Sequence, residues 1–327
     1  MTYTNYPNGA GSFGMPLIGM TTGNVWFVDD SGSNSNSGIN ADVPFADIDY
    51  AIGRCTANHG DIIFVMPGHT EDIATAGGIA LDVAGVSIIG LGSGSDRPTI
   101  TFSAVGSTFA ISAASSLIRN IVFEAAVAEV VVGITLSAAA HYTSFEAIES
   151  YEGSSAGTYN FVNFLTATTA CNWLSFKDCI FIGDDANNDS FINGAIHDGL
   201  VVENCIFHAN TAQETACGLI FCSGNVTNMR IKNCDFASAV DDAVFIDCNG
   251  VANGGVVSYC NFSSLDTTGA AAACIDLTGA HCFECYVAGD ADSYGIIGGG
   301  SGASADTYNY IPLMNGEGNL PTTKGEQ

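Results

Sequence analysis

A six-residue pattern returns at nearly regular intervals along most of this chain, and it limits the folds that the chain can adopt. Each clear copy, such as residues 202–207 (Val-Glu-Asn-Cys-Ile-Phe), is apolar at its first, fourth and sixth positions. The mean interval is 28 residues, since seven steps between fourth positions span 285 − 89 = 196 residues. A period of about 20 to 50 residues is typical of a solenoid, whose turns bury their inner faces by stacking on one another. The fourth positions, two of them from looser copies, are Ile89, Ile121, Ile148, Cys179, Cys205, Cys234, Cys260 and Cys285.

The repeat is predicted to consist of strands, because the six-residue segments are rich in β-branched and aromatic residues and are separated by Gly, Asn, Asp and Ser. A leucine-rich repeat is the obvious rival, but the Leu-dense frame that it needs in every unit is missing. We therefore predict an all-β, right-handed, single-stranded parallel β-helix of roughly ten rungs, with an N-terminal arm and a short capping helix. A second apolar series indicates a second strand in each turn and leaves room for a short third; its members are Phe161, Phe191, Leu219, Val244, Cys274 and Ile296.

Five of the twelve cysteines share one position in consecutive repeats, from Cys179 to Cys285. Stacked side chains at that position would form an internal column of small apolar thiols. We expect free thiols, because parallel in-register side chains point the wrong way for a disulfide. The preceding residues Asp178, Asn204 and Asn233 are expected to form a polar ladder at a strand edge.

The charge of the chain excludes several classes of partner. The sequence has 34 acidic and 7 basic residues, a formal net charge of −27. Nucleic-acid binding relies on Lys and Arg to neutralise phosphates, so no nucleic-acid partner is expected. The same field would repel anionic membranes and strongly acidic polysaccharides. No hydrophobic run is long enough to cross a bilayer, and residues 1–8 lack the features of a signal peptide, so no membrane partner is expected either.

The extent of the repeat divides the chain into four segments. Residues 1–24 do not repeat and are predicted to be an attachment arm. Residues 25–60 would be an N-terminal cap, residues 61–300 the β-helix, and residues 301–327 a C-terminal segment. An apolar cluster in the arm either grips a partner or covers the first rung; the residues proposed for partner binding are Phe13, Met15, Pro16, Leu17 and Ile18.

The cap is predicted to contain a strand over 25–28, a polar loop over 29–42 and an amphipathic helix over 44–52. Apolar residues of that helix, Phe45, Ile48 and Ile52, would lie on one face. Such a helix can cover the open end of a solenoid, whose first strands would otherwise present unpaired backbone groups.

The order of these segments resembles a known group. A Val-Trp-Phe-Val strand, the Asp/Ser/Asn loop, the helix, and then residues 60–71 and 85–92 are similar to the β-helix virion proteins of tailed bacteriophages, in the pectate-lyase-like superfamily. The likeness is closest over residues 23–100 and is limited to the repeat beyond that range. It implies a homotrimeric structural protein on the virion, made in the host cytoplasm. The implied partners are the major capsid protein or other virion proteins, with a host surface glycan as the alternative.

Enzymatic chemistry is weakly supported by the residues. A lyase would need a basic residue, but Arg119, Lys177 and Lys232 share one strand position and are expected to face outward as solubilising groups. Exposed aromatic platforms typical of sugar sites are also scarce, since Trp26 and Trp173 are the only tryptophans. A glycoside hydrolase would need two carboxylates about 5–10 Å apart; the candidates are Asp184, Asp185, Asp241, Asp242, Asp247 and Asp266.

Metal binding is also weakly supported. His59 and His69 lie in glycine turns beside the first rung, where a structural role is commoner than a ligand role. Cys282 and Cys285 form one CxxC without a second, so no zinc site is expected. A Ca²⁺ site in the acidic turn 184–189 is an open alternative. We predict a non-enzymatic structural protein of the capsid surface without a cofactor; the alternative is a tailspike or tail-fibre protein that binds or hydrolyses a glycan.

Overall fold

The computed structural model describes residues 21–152, 159–183, 190–209, 219–222, 226–238, 245–248, 254–264, 273–277, 280–289 and 295–298. Successive strands enter three parallel sheets in turn, so the chain winds as a coil. The first sheet has ten strands: β1 (Val25–Val28), β2 (Ile62–Val65), β5 (Ser87–Gly90), β8 (Leu117–Arg119), β11 (Ser144–Glu146), β14 (Ser175–Lys177), β17 (Val201–Glu203), β20 (Met229–Lys232), β23 (Gly255–Ser258) and β26 (Ala280–Phe283).

The other two sheets have nine strands each. The second sheet contains β3 (Thr70–Ile73), β6 (Thr99–Phe102), β9 (Val122–Ala125), β12 (Glu149–Glu152), β15 (Ile180–Gly183), β18 (Ile206–Ala209), β21 (Asp235–Ser238), β24 (Asn261–Ser264) and β27 (Tyr286–Gly289). The third sheet contains β4 (Ile79–Leu81), β7 (Phe109–Ile111), β10 (Val130–Leu136), β13 (Phe161–Asn172), β16 (Ser190–Asp198), β19 (Ile220–Cys222), β22 (Ile246–Cys248), β25 (Ala273–Leu277) and β28 (Gly295–Gly298). The predicted parallel β-helix is thereby confirmed. In the described residues the helical elements are α1 (Ile48–Ile52) and a short 3₁₀ turn (Gly94–Asp96).

The sequence analysis treated each six-residue segment as one strand. In the structure, most of these segments span the corner between the first and second sheets. In residues 202–207, β17 ends at Glu203 and β18 begins at Ile206. The residue at the corner has a left-handed backbone, which an extended strand cannot contain. The segment at 86–91 is out of phase, since Ile88 pairs with Ile118 and β5 lies wholly in the first sheet. The left-handed corner residues are Asn120, Ala147, Asp178, Asn204, Asn233, Tyr259 and Glu284, with φ from 50° to 56°.

The structure confirms the predicted second strand in each turn, but two residues of the predicted apolar series are wrong. Leu165 pairs with Ile192, so the residue in register with Phe191 is Phe164 rather than Phe161. By the same reasoning Phe245, not Val244, continues the series, because Ile220 pairs with Ile246. The loops before these strands differ in length, and counting along the sequence therefore missed the register.

In-register side chains fill the interior of the coil. Phe181, Phe207, Phe236 and Phe262 form a stack in the second sheet, with successive ring centroids 4.7, 4.9 and 5.0 Å apart. These spacings match the distance of about 4.8 Å between neighbouring strands. Each ring is at most 1% exposed, so the stack supplies a large part of the buried apolar surface.

The thiol column and the polar ladder are both confirmed. The five cysteines from Cys179 to Cys285 are buried and free. Next to them, the Asn204 amide donates to Asp178 Oδ1 at 3.1 Å, and the Asn233 amide donates to Asn204 Oδ1 at 3.2 Å. The ladder therefore satisfies side-chain amides at a corner whose backbone favours Asn and Asp.

The cap covers the first rung as predicted, although its helix is shorter. Phe45 forms a bridge with Val28 and Asp47 has an extended backbone, so α1 begins only at Ile48. Ile48 and Ile52 are buried against the first strands. Acidic side chains satisfy free amides here: Glu71 Oε2 accepts from the Ile48 amide at 2.9 Å, and Asp49 Oδ1 accepts from the Ala80 amide at 2.9 Å.

Candidate functional site

The proposed attachment residues, Phe13, Met15, Pro16, Leu17 and Ile18, lie outside the described residues. The structure does describe where the segment that carries them joins the coil. The Thr21 hydroxyl donates to the Gly60 carbonyl, and the Asn24 amide donates to Asp61 Oδ1 at 2.6 Å. Thr21 and Asn24 are therefore held to the N-terminal end of the coil.

Asp61 organises this junction. Its carboxylate is fully buried and accepts from the Asn24 amide, from the Thr56 amide at 2.7 Å, and from His59 Nδ1 at 2.7 Å. Burial raises the pKa of Asp61, but these hydrogen bonds outweigh it and hold the pKa below its usual value. His59 thus has the structural role expected of it, as a partner of the carboxylate that ties β1 to the first complete rung.

The outer face of the first sheet changes character along its length. At the N-terminal end, Phe27, Phe64 and Ile89 occupy one register column and form, with Ile62, a hydrophobic cluster separate from the core. In the next five rungs the same column holds charged residues of alternating sign. These apolar side chains are 3–8% exposed, because neighbours in the same chain, including Ala41 of the cap loop, pack against them. The charged part of the column, in the later rungs, faces water. The charged residues of the column are Arg119, Glu146, Lys177, Glu203 and Lys232.

The basic residues of this column are outward-facing, as predicted, and they are paired along it. Arg119 Nε lies 3.8 Å from Glu146 Oε2, and Lys177 Nζ lies 4.0 Å from Glu203 Oε2. Arg97 differs from them, because it is largely buried and its guanidinium contacts Glu149 Oε2 at 2.7 Å and the Ala147 carbonyl at 2.6 Å. It joins neighbouring rungs at the edge of the second sheet and has no geometry suited to act as a base.

An acidic cleft of about 550 Å³ opens beside the cap. Most of its carboxylates already accept hydrogen bonds that hold the cap together. Asp47 accepts from Asn34 at 2.6 Å, and Asp30 accepts from Thr70 at 3.3 Å. The lining residues are Asp30, Asn34, Ala46, Asp47, Asp49, Tyr50, Thr70, Glu71, Asp72 and Gly78.

Most of the carboxylates considered for hydrolysis, Asp184, Asp185, Asp241, Asp242 and Asp266, lie outside the described residues. Asp247 is described. It lies in β22 of the third sheet and pairs in register with Asp276 of β25. Neighbouring strands are about 4.8 Å apart, so two acidic residues occupy adjacent positions on this sheet.

The residues of the remaining sequence motifs are buried in the fold. His69 is buried, and its Nε2 lies 3.3 Å from Glu71 Oε2. Cys282 and Cys285 are both buried, the latter at the end of the thiol column. Within the described ranges no three His, Cys, Asp or Glu side chains are grouped to hold a metal ion. The acidic turn 184–189 lies outside those ranges. No helix in the described part of the chain is long and apolar enough to span a bilayer.

The sequence analysis missed an exposed aromatic pair at the corner between the third and first sheets. The rings of Tyr142 and Trp173 are stacked, with centroids 6.4 Å apart and planes 8° apart. Their side chains come from successive rungs and are 59% and 43% exposed. The two residues are 31 positions apart, close to the repeat length, and that spacing was the signal that could have found them.

No protein-family model matches the sequence, and no curated protein matches it significantly. Among solved structures, a rhamnogalacturonan lyase is 12% identical, with 84% of each chain covered and a TM-score of 0.52. ORF18 of Geobacillus virus E2 is 13% identical over 77% of this chain and 56% of that one, with a TM-score of 0.45. A GH136 lacto-N-biosidase from Eubacterium ramulus is 11% identical over 84% and 67%, with a TM-score of 0.33. The first of these likenesses supports the fold alone and leaves catalytic activity open.

Proposed function

We propose that this chain is a non-enzymatic structural protein of a bacteriophage virion, a rod that projects from the capsid surface. The observation that carries the proposal is the change along the outer column of the first sheet. Phe27, Phe64 and Ile89 are covered by the cap at the end where the arm joins the coil, whereas the residues from Arg119 to Lys232 give the remainder of this face a charged, water-exposed column. The likeness of residues 23–100 to phage β-helix proteins supports the same role, since those residues build this end.

The segment before Thr21 supplies the attachment. It joins the coil beside the apolar cluster, and it carries the apolar side chains of Phe13, Met15, Leu17 and Ile18 next to Pro16. The rod itself supplies stiffness, because its sheets run without a break through nine or ten strands. Its strong negative charge keeps neighbouring particles apart.

The rod works as a homotrimer packed side by side. Only 13% of its residues are charged, about half of the usual share, so much of the surface of a single rod is formed by uncharged residues although its net charge is large. Light scattering is expected to give a mass of about 101 kDa, which is three times 33.6 kDa. A species of 33.6 kDa would contradict the trimer.

Immunogold labelling of intact particles tests the role. Antibodies against the rod are expected to label the capsids of the phage that encodes it. Labelling of the tail alone would favour the alternative, a tailspike or tail fibre, and absence from purified particles would refute a virion role.

The arm is tested separately by its apolar side chains. A variant with Phe13, Met15, Leu17 and Ile18 replaced by Ser is expected to keep its strand content and lose its binding to capsids that lack the protein. Unchanged binding would contradict the attachment role of the arm. Release of oligosaccharides from host polysaccharide, abolished by Asp242→Asn, would show instead that the protein is a depolymerase.

A further inference from the structure

One column of left-handed residues lines the corner between the third and first sheets. The members from Asn58 to Gly199 donate their backbone amides to carbonyls of the next rung; for example, Tyr142 donates to Asn172 at 3.0 Å and Trp173 to Asp198 at 2.7 Å. Positive φ is easy for Gly and accessible to Asn, whereas it is rare and costly for bulky residues. The column consists of Asn58, Gly85, Ser115, Tyr142, Trp173, Gly199 and Asn228, with φ between 55° and 78°.

Within this column Tyr142 and Trp173 are therefore exceptions that the turn does not require. Their neighbours in the column are small or are Asn, and the same turn forms with those residues. Burial does not explain the two aromatic residues either, since about half of each side chain is exposed. Strain that the packing of the fold does not require points to a use for the side chains themselves.

The stacked pair of Tyr142 and Trp173 has one covered ring face and one open ring face. A Cβ atom on Gly199 would lie 2.5 Å from two ring atoms of Trp173 and 3.1 Å from a third, so the indole ring rests on the Gly199 backbone. The other side of the indole faces Tyr142. On the far side of Tyr142 the next column positions hold Ser115 and Gly85, which are too small to cover a ring. A flat apolar surface is thus left open above two rungs of small residues, about 10 Å of the column.

Polar groups border this surface. Ser115 is exposed beside it. The Asn172 amide donates to His141 Nδ1 at 3.2 Å, so the neutral imidazole carries its proton on Nε2, where it can donate to a ligand.

We propose that Tyr142 and Trp173 form a binding site for a neutral hexopyranose of a glycan. The open ring face of Tyr142 would stack on the apolar C–H face of the sugar, and Ser115 and His141 would offer hydrogen bonds to its hydroxyls. The net charge of −27 disfavours uronic acids, sulfated sugars and nucleotides. The site binds and does not cleave, and it operates wherever on the particle the rod is attached.

The test is a titration of the full-length protein with neutral hexasaccharides: cellohexaose, maltohexaose, mannohexaose and a galactan hexasaccharide. Binding is read from Trp fluorescence, to which Trp26 and Trp173 alone contribute, and from saturation-transfer NMR. Saturable binding of at least one hexasaccharide is expected. Failure of all four to bind at about 10 mM would overturn the proposal, because that concentration detects even a weak stacking site.

Tyr142→Asn is the decisive variant, because Asn suits a left-handed residue. It is expected to weaken binding at least about tenfold while the melting temperature stays the same or rises. Tyr142→Phe keeps the ring and should bind like the wild type. Tyr286→Ala removes another tyrosine that is 58% exposed, in the second sheet, and should change nothing.

Two results with these variants would overturn the proposal. Equal affinity of the wild type and Tyr142→Asn would place the sugar elsewhere. Binding of an aromatic or proline-rich peptide at Tyr142, with no competition from any hexasaccharide, would show that the platform serves a protein partner.

Discussion

The thiol column predicts that this protein loses stability steeply in alkali. Cys234 and Cys260 are at most 1% exposed and lie on adjacent rungs. A hydrogen bond with the thiol of the preceding rung, together with burial, raises the pKa of each to about 12. The column therefore holds its protons at a pH where free thiols ionise.

The direction of this pH effect on stability follows from the linkage between protonation and folding. In the unfolded chain these thiols ionise near pH 9, whereas in the folded protein they ionise near pH 12. The folded state binds more protons between these values, so stability is complete below about pH 9 and falls as the pH rises to 12. Each thiol contributes a loss of about 1.4 kcal/mol per pH unit once its unfolded form is ionised, and two thiols contribute about 2.8 kcal/mol.

The assay compares the wild type with the double variant Cys234→Ala/Cys260→Ala by urea unfolding at pH 7, 10 and 11, with a reductant present. Tyr and Lys titrate alike in both proteins. Cys205 and Cys285 each lose a hydrogen-bonding neighbour in the variant but remain buried, so the difference in slope between pH 10 and 11 reports mainly the two substituted thiols. Between pH 10 and 11 the wild type is expected to lose about 2.8 kcal/mol more than the variant. Equal slopes would refute the reasoning, because they would mean that the two thiols have ordinary pKa values in the folded protein.

Two further predictions concern the stack of rings in the second sheet. Phe207 lies between Phe181 and Phe236, so Phe207→Ala should cost about 3–5 kcal/mol in urea unfolding, whereas Phe207→Leu should cost less; a loss below about 1 kcal/mol would mean that the rungs collapse around the gap. Ser150 occupies the same column, is 1% exposed, and its hydroxyl is buried without a hydrogen-bond partner, so Ser150→Ala should raise the free energy of unfolding by about 1 kcal/mol. A lower melting temperature for Ser150→Ala would show that the hydroxyl has a partner.

The inner columns were predictable because a solenoid repeats its interior. The Cys at 179, 205, 234, 260 and 285 face the same neighbours in every turn, and the sequence records this as one residue type at one interval. The capping strand and helix were predictable from local pattern, since Ile48 and Ile52 are one helical turn apart.

The corners and the third sheet were harder to predict for physical reasons. The left-handed corner favours Asn and Asp, but Ala147, Tyr259 and Glu284 occupy it too, so residue type marks only part of this corner. In the third sheet, β13 is a long strand of 12 residues, and its pairing with β16 shifts register near Cys171. Such irregularities change the interval between equivalent residues, so the apolar series at Phe161 was read three positions early.

The regularity of the coil makes exceptions informative, because a structural exception must be compensated by its neighbours. Ser150 leaves space in a column of rings, and Phe164 of the third sheet packs between Phe123 and Phe181 there. Like charges on adjacent rungs would repel by about 0.9 kcal/mol even in water, and the outer column from Arg119 alternates its signs instead.

Tyr142 and Trp173 are exceptions that their neighbours do not compensate. They occupy a turn that Gly85 and Gly199 form without strain, and they place two rings in solvent. Nothing packed in the described rungs gains from the open face of Tyr142. A strained residue that stabilises nothing around it is typical of a binding site rather than of the scaffold. The carboxylates of the acidic cleft, in contrast, hold the cap together. Tyr142 and Trp173 are therefore the surface of the rod to test for a ligand.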